Sequence, residues 1–147
     1  MANNYTLFSV ALGKCTNQEC EWLKAEYART HDEEVVDEGG GPADNPDYNS
    51  EAGTFDIDIS AGDVSIYSEE CGDCEAAADL IQAFLRKFRP KQWIVLETAF
   101  TCSTPRCGEF AGAVVLITAK KTYWMNTSTW ADQKAKVLKL KARQRIF

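Results

Sequence analysis

Apolar and polar residues change period several times along the chain, and each change predicts an element. Tyr5 to Leu12 alternates and is rich in β-formers, which predicts a first strand. Thr16-Asn17-Gln18-Glu19 then has the spacing of a capping box, with Thr16 as N-cap and Glu19 reaching back to it. The helix it opens runs to about Arg29, with Leu23, Tyr27 and Trp22 inward and Glu21, Lys24 and Glu26 toward solvent. Thr54 to Ile59 sets Phe55, Ile57 and Ile59 against Thr54, Asp56 and Asp58, the pattern of a half-buried strand with an acidic face. Ala61-Gly62-Asp63 turns that strand into a second one through Val64 and Ile66, giving a hairpin.

The strongest helical period follows. Ala77, Leu80, Ile81, Phe84, Leu85 and Phe88 recur at helical spacing from Cys74 to Phe88. Asp73 stands at the N-cap, Arg86, Lys87 and Arg89 favour the C-terminal end, and Pro90 stops the helix. Trp93 to Phe100 and Phe110 to Ala119 predict strands, and Lys120 to Met125 an extension or a short further strand. Trp130 to about Lys141 predicts a basic terminal helix capped by Ser128 or Thr129, within a basic segment 126–147. The first six elements follow the order β-α-β-β-α-β. We therefore expect one α+β domain over residues 1–147, ferredoxin-like (split βαβ), with an antiparallel sheet, helices on one face, and an added C-terminal strand and helix.

Composition adds limits to this pattern. At 147 residues, 45% of them apolar, the chain can bury a core without disulfides or metal as obligatory staples. Its longest apolar stretch, Ala111 to Ala119, is well short of the roughly 20 residues of a membrane span. The first residues carry no signal-type block, so a cytoplasmic, reducing setting is expected for the six cysteines.

Charge is sorted along the chain. Between Arg29 and Arg86 stand 16 acidic residues and no Lys or Arg, whereas Val115 to Phe147 holds eight basic residues and the single acid Asp132. Residues 31–50 combine acids with a triple glycine and two prolines, which predicts a flexible acidic loop. A solvated loop and an exposed basic helix would produce the same sorting with no partner involved. The basic cluster Lys134, Lys136, Lys139, Lys141, Arg143 and Arg145 lies near Trp130, yet a pI of about 4.8 for the chain argues against a nucleic-acid-binding domain.

Several residues could carry chemistry. Cys71-Gly72-Asp73-Cys74 has the spacing of a thioredoxin-like pair at a helix start, but Glu69, Glu70, Asp73 and Glu75 would suppress the thiolate. With Cys102 and Cys107 the same cysteines could form a structural zinc site, although the second spacing is longer than usual. Otherwise no cofactor is expected. Cys15 and Cys20 are expected in the helix start and core. His31, the only histidine, is expected in the loop beside Asp32 and Glu33. Asp56 and Asp58 share a strand face, with Glu97 as a candidate neighbour, a pattern that an exposed sheet face also shows. Arg106 and Trp93 could rim a pocket for a small anionic ligand, though a surface ion pair is the commoner use of an arginine. No phosphate-gripping loop is present, because Gly39-Gly40-Gly41 lacks a following Lys-Ser/Thr.

Tyr67 to Glu70, Gln82 to Pro90, Thr101 to Arg106, Gly108 to Phe110 and Ile117 to Ala119, taken together, resemble a family of small uncharacterised proteins of phages, plasmids and mobile gene cassettes. The resemblance spans Tyr67 to Met125 and includes Cys102 but not Cys71, Cys74 or Cys107. It brings no activity; what it implies is an accessory protein of a mobile element.

The expected function is therefore that of a non-enzymatic interaction or inhibitor protein. Its acidic surface, centred on Asp32, Glu33, Glu34, Asp37, Glu38, Asp56 and Asp58, would occupy a basic host protein that handles nucleic acid or defence, in an anti-CRISPR or antirestriction kind of role. The alternatives are a zinc or dithiol protein built on Cys71, Cys74, Cys102 and Cys107, and a binder of small anions. An unpaired edge strand would also open a route to a homodimer.

Overall fold

The computed structural model describes residues 3–32 and 55–140. In chain order the elements are β1 (Asn4–Lys14), α1 (Asn17–Asp32), β2 (Asp56–Ser60), β3 (Asp63–Ser68), α2 (Cys74–Phe88), β4 (Trp93–Cys102), β5 (Ala111–Thr118), β6 (Thr122–Asn126) and α3 (Thr127–Val137). The six strands form one sheet in the order β2-β3-β1-β4-β5-β6, and every neighbouring pair is antiparallel. The fold is thus α+β. Among the described residues no helix is long and apolar enough to cross a membrane.

One face of the sheet carries the core. Phe8, Val10 and Leu12 of β1, Val64 and Ile66 of β3, Leu96 of β4, and Val115 and Ile117 of β5 are buried on it. They form one cluster with Cys20 and Leu23 of α1 and Ala77, Ile81, Phe84 and Leu85 of α2. Trp22 of α1 packs at 6.3 Å from Phe84 and edge-on at 5.6 Å from Phe88, which joins the two helices. Gln82 and Arg86 donate to the carbonyls of Thr118 and Ala119, fixing α2 along the end of β5.

The helix starts follow from side chains that take up their free amides. Thr16 and Glu19 form the expected reciprocal pair, 2.9 and 3.2 Å, and Asp73 accepts from the Ala76 amide at 3.0 Å. Two boundaries differ from the sequence pattern. α1 continues through His31 to Asp32, held by Arg29 on Glu26 and by the Thr30 hydroxyl on the Glu26 and Tyr27 carbonyls, so the backbone of His31 is helical. α3 begins at Thr127 because Asn126, not Ser128 or Thr129, is the cap, accepting from the Thr129 amide at 2.8 Å. It ends at Val137, four residues before Lys141, and buries none of its side chains.

Arg89 closes the structure at the far end of α2. Its guanidinium donates to the Leu12 and Lys14 carbonyls at 3.1 and 2.8 Å, to Glu19 at 3.0 Å, and lies 5.1 Å from the Phe84 ring centroid. Burial acts on Glu19 most and would raise its pKa. The Thr16 amide, the Arg89 side chain and its charge, and the Thr16 hydroxyl together overcome this and hold the carboxyl below its ordinary value. A carboxyl lowered in the folded state stabilises the protein above its unfolded pKa, about 4.3, and that contribution is lost as pH falls through the folded value. Arg89→Ala should cost about 3 kcal/mol in chemical denaturation at pH 7, because it strands a buried carboxylate and two carbonyls. Glu19→Gln should be less stable than wild type at pH 7 and lose less stability on acidification below about pH 4. Equal acid sensitivity in the two proteins would contradict this.

Gly72 is required for a different reason. The segment after β3 runs back along β1, with Thr6 donating to Glu70 at 2.6 Å and Gly72 donating to Thr6 at 3.1 Å. A Cβ at Gly72 would stand 2.5 Å from Phe8 Cε1 and closer still to Ser68 Cβ. Gly72→Ala should therefore lower stability by about 2 kcal/mol, read from the denaturation midpoint. An unchanged midpoint would show that this close approach does not exist.

Candidate interaction surface on the open sheet face

The period of two that buries one face exposes the other. Away from the helices β2 presents Asp56, Asp58 and Ser60, and β3 presents Ser65 and Tyr67. β1 adds Leu7, Ser9 and Ala11 on this face, β4 adds Trp93, Val95, Glu97 and Ala99, and β5 adds Val114 and Leu116. Tyr123 and Met125 of β6 lie opposite Leu116 and Val114 on the same side. α3 touches β5 and β6, and Thr127 Oγ1 accepts the Gly112 amide at 3.2 Å. Trp130 thereby closes a groove of about 280 Å³ with Glu97, Gly112, Val114, Met125 and Thr127.

This face has two chemically different ends. At the β2 end the side chains are short and acidic, and Asp58 also accepts from the Ser60 hydroxyl at 3.3 Å. At the β4–β6 end Trp93, Tyr123, Met125 and Trp130 are 64, 53, 44 and 53% exposed. Among the described residues the charged groups of the face between strand ends are Asp56, Asp58 and Glu97. Lys14, at the end of β1, is paired with Asp63 at 3.2 Å. Glu97 shares the face with the two aspartates but stands three strands away, about 14 Å, so the three carboxylates do not form one acid–base centre.

Other sequence candidates separate in space. Trp93 begins β4, and Arg106 lies in the loop after its other end, about 30 Å away along the strand, so the two cannot rim one pocket. Cys71 and Cys107 are exposed, Cys15 and Cys74 half-buried, and Cys20 and Cys102 buried, all as free thiols. Cys71 and Cys102 both lie beside Asn4, yet among the described residues no three His, Cys, Asp or Glu side chains converge to hold a metal ion, so the set Cys71, Cys74, Cys102 and Cys107 does not assemble as a zinc site. Burial pushes the Cys74 thiol up, with Asp73 and Glu75 adding to it against a Thr98 hydrogen bond. Burial also raises Cys15 despite the neighbouring Arg89. Neither is prepared as a reactive thiolate.

Glu33, Glu34, Asp37 and Glu38 lie outside the described residues, as do Lys141, Arg143 and Arg145; for His31 and Asp32 only the helical backbone is described. The aromatic end of the open face was missed by the sequence pattern. Its signal was the run Trp93 to Leu96, apolar at every position where a one-sided strand would alternate.

Compared with family models, with curated proteins and with solved structures, the chain matches none.

The thiol placements are open to measurement. Brief alkylation of the folded protein, read by peptide mass spectrometry, should label Cys71 and Cys107 first and Cys20 and Cys102 last. Labelling of Cys20 at the rate of Cys71 would show that the α1–β1 packing is wrong.

Proposed function

We propose that the protein is a non-enzymatic interaction protein, an inhibitor of the kind mobile elements carry, that binds a basic host protein through its acidic surface. The observation that carries this reading is the exposed pair Asp56 and Asp58 on the open side of edge strand β2, next to the acid-rich segment that precedes it in the chain. Carboxylates spaced along a strand face suit lysines and arginines that otherwise meet phosphates, and they steer association over a Debye length of about 8 Å in physiological salt. The partner class that fits is a cytoplasmic protein handling nucleic acid or defence, as in an anti-CRISPR or antirestriction role. The aromatic end of the same face supplies apolar area that an acidic patch alone lacks. For the architecture, the strand order β2-β3-β1-β4 with α1 and α2 over one face supports a ferredoxin-like unit extended by β5, β6 and α3.

The test is affinity capture from a host lysate, followed by titration of the purified partner at 50 and 300 mM salt. Wild type should retain a basic protein at low salt. Asp56→Asn with Asp58→Asn should weaken it about tenfold, from roughly 0.2–1 kcal/mol for each exposed pair. A complex indifferent to both substitutions and to salt would overturn the reading.

A further inference from the structure

The two edges of the sheet are built differently. Edge strand β2 reads Asp-Ile-Asp-Ile-Ser, and its aspartates are the sort of charge that keeps an edge from pairing with another copy. If β2 met itself about a twofold axis at its centre, Asp58 would face Asp58, an arrangement that repels. The other edge has no such guard. Strand β6 reads Thr-Tyr-Trp-Met-Asn, without charge, proline or bulge, and Tyr123, Trp124 and Met125 are 53, 46 and 44% exposed.

Nothing among the described residues covers the outer side of β6. α3 leaves its end and turns inward, as the Thr127–Gly112 hydrogen bond and the position of Trp130 against Glu97 and Val114 require. Trp124 Nε1 donates to Thr122 Oγ1 at 3.1 Å, which lays the indole along the strand on the helix side of the sheet. The amides and carbonyls on the outer side of the strand therefore remain available to another strand.

We propose that β6 pairs antiparallel with β6 of a second copy of this chain, about a twofold axis at Trp124, joining two six-stranded sheets. All five residues then pair: Trp124 meets Trp124, Tyr123 meets Met125, and Thr122 meets Asn126. Aromatic pairs directly opposite each other on adjacent strands are favourable. Charge fits the same register, because Lys121 falls opposite Thr127 and the two copies of Lys121 stand about 20 Å apart, beyond the Debye length. The contact is isologous and closes at two. Three half-exposed large side chains and a five-residue ladder cover about 500 Å² on each chain, below the roughly 800 Å² of a standard interface, so a dissociation constant of about 1–100 μM is expected.

Sedimentation equilibrium of the full chain from 1 to 300 μM, with reductant to keep the exposed Cys71 and Cys107 from cross-linking, tests this directly. Wild type should pass from monomer to dimer. Trp124→Lys and Trp124→Glu should each dimerise at least tenfold more weakly, with melting at 1 μM close to wild type. An equimolar mixture of the two variants should recover the dimer, a result that misfolding cannot imitate. A monomer throughout, a dimer that both variants leave intact, or a monomeric chain that accepts only a foreign strand on β6 would overturn the proposal.

Discussion

The guanidinium of Arg89 joins the end of α2 to the end of β1 and the start of α1, at least 70 residues earlier in the chain. It stands at the C-cap of α2, donates to the Glu19 carboxylate in the first turn of α1, and donates to two carbonyls at the end of β1. Only a planar, permanently charged side chain can do all of this at once, since the carboxylate and the carbonyls approach from different directions. With 19% of the arginine side chain and 9% of the glutamate exposed, the pair is largely withdrawn from water, and it is the remaining hydrogen bonds that make this tolerable. Through it both helices are held against one face of the sheet.

That placement leaves the other face open, and the chemistry of the open face follows from strand order. Because β2 and β6 are the two edges, the acidic hairpin and the aromatic C-terminal strands are driven to opposite ends. A partner chosen by charge would approach near Asp56 and Asp58, while a second copy of the chain would meet at Trp124. The two surfaces need not compete, since four strands separate β2 from β6.

Most of the fold was legible in the sequence because its signals are local. The helical period of Ala77 to Phe88 lies between Asp73 and Pro90, the capping box sits at Thr16, and the β2–β3 hairpin follows from Ala61-Gly62, where both residues have positive φ. What failed depended partly on local side-chain bonds and partly on contacts between distant segments. The cap of α3 is Asn126, whose side chain accepts the Thr129 amide. The extension of α1 rests on the Arg29 and Thr30 bonds within its last turns. Trp93 and Arg106, expected to rim one pocket for a small anion, are held apart by a ten-residue strand. The role of Arg89 was equally hidden: as a basic residue at a helix end it fits the helix dipole, and nothing in its neighbours announces Glu19.

One measurement decides whether the sheet has one covered and one open face. Hydroxyl-radical footprinting of the intact chain at low micromolar concentration reads side-chain exposure residue by residue. Trp93 and Trp130 should oxidise readily while Phe84 and Leu23 stay protected until the protein unfolds. Protection of Trp93 and Trp130 in the isolated chain, or ready oxidation of Phe84, would contradict the division of faces on which the functional reading stands.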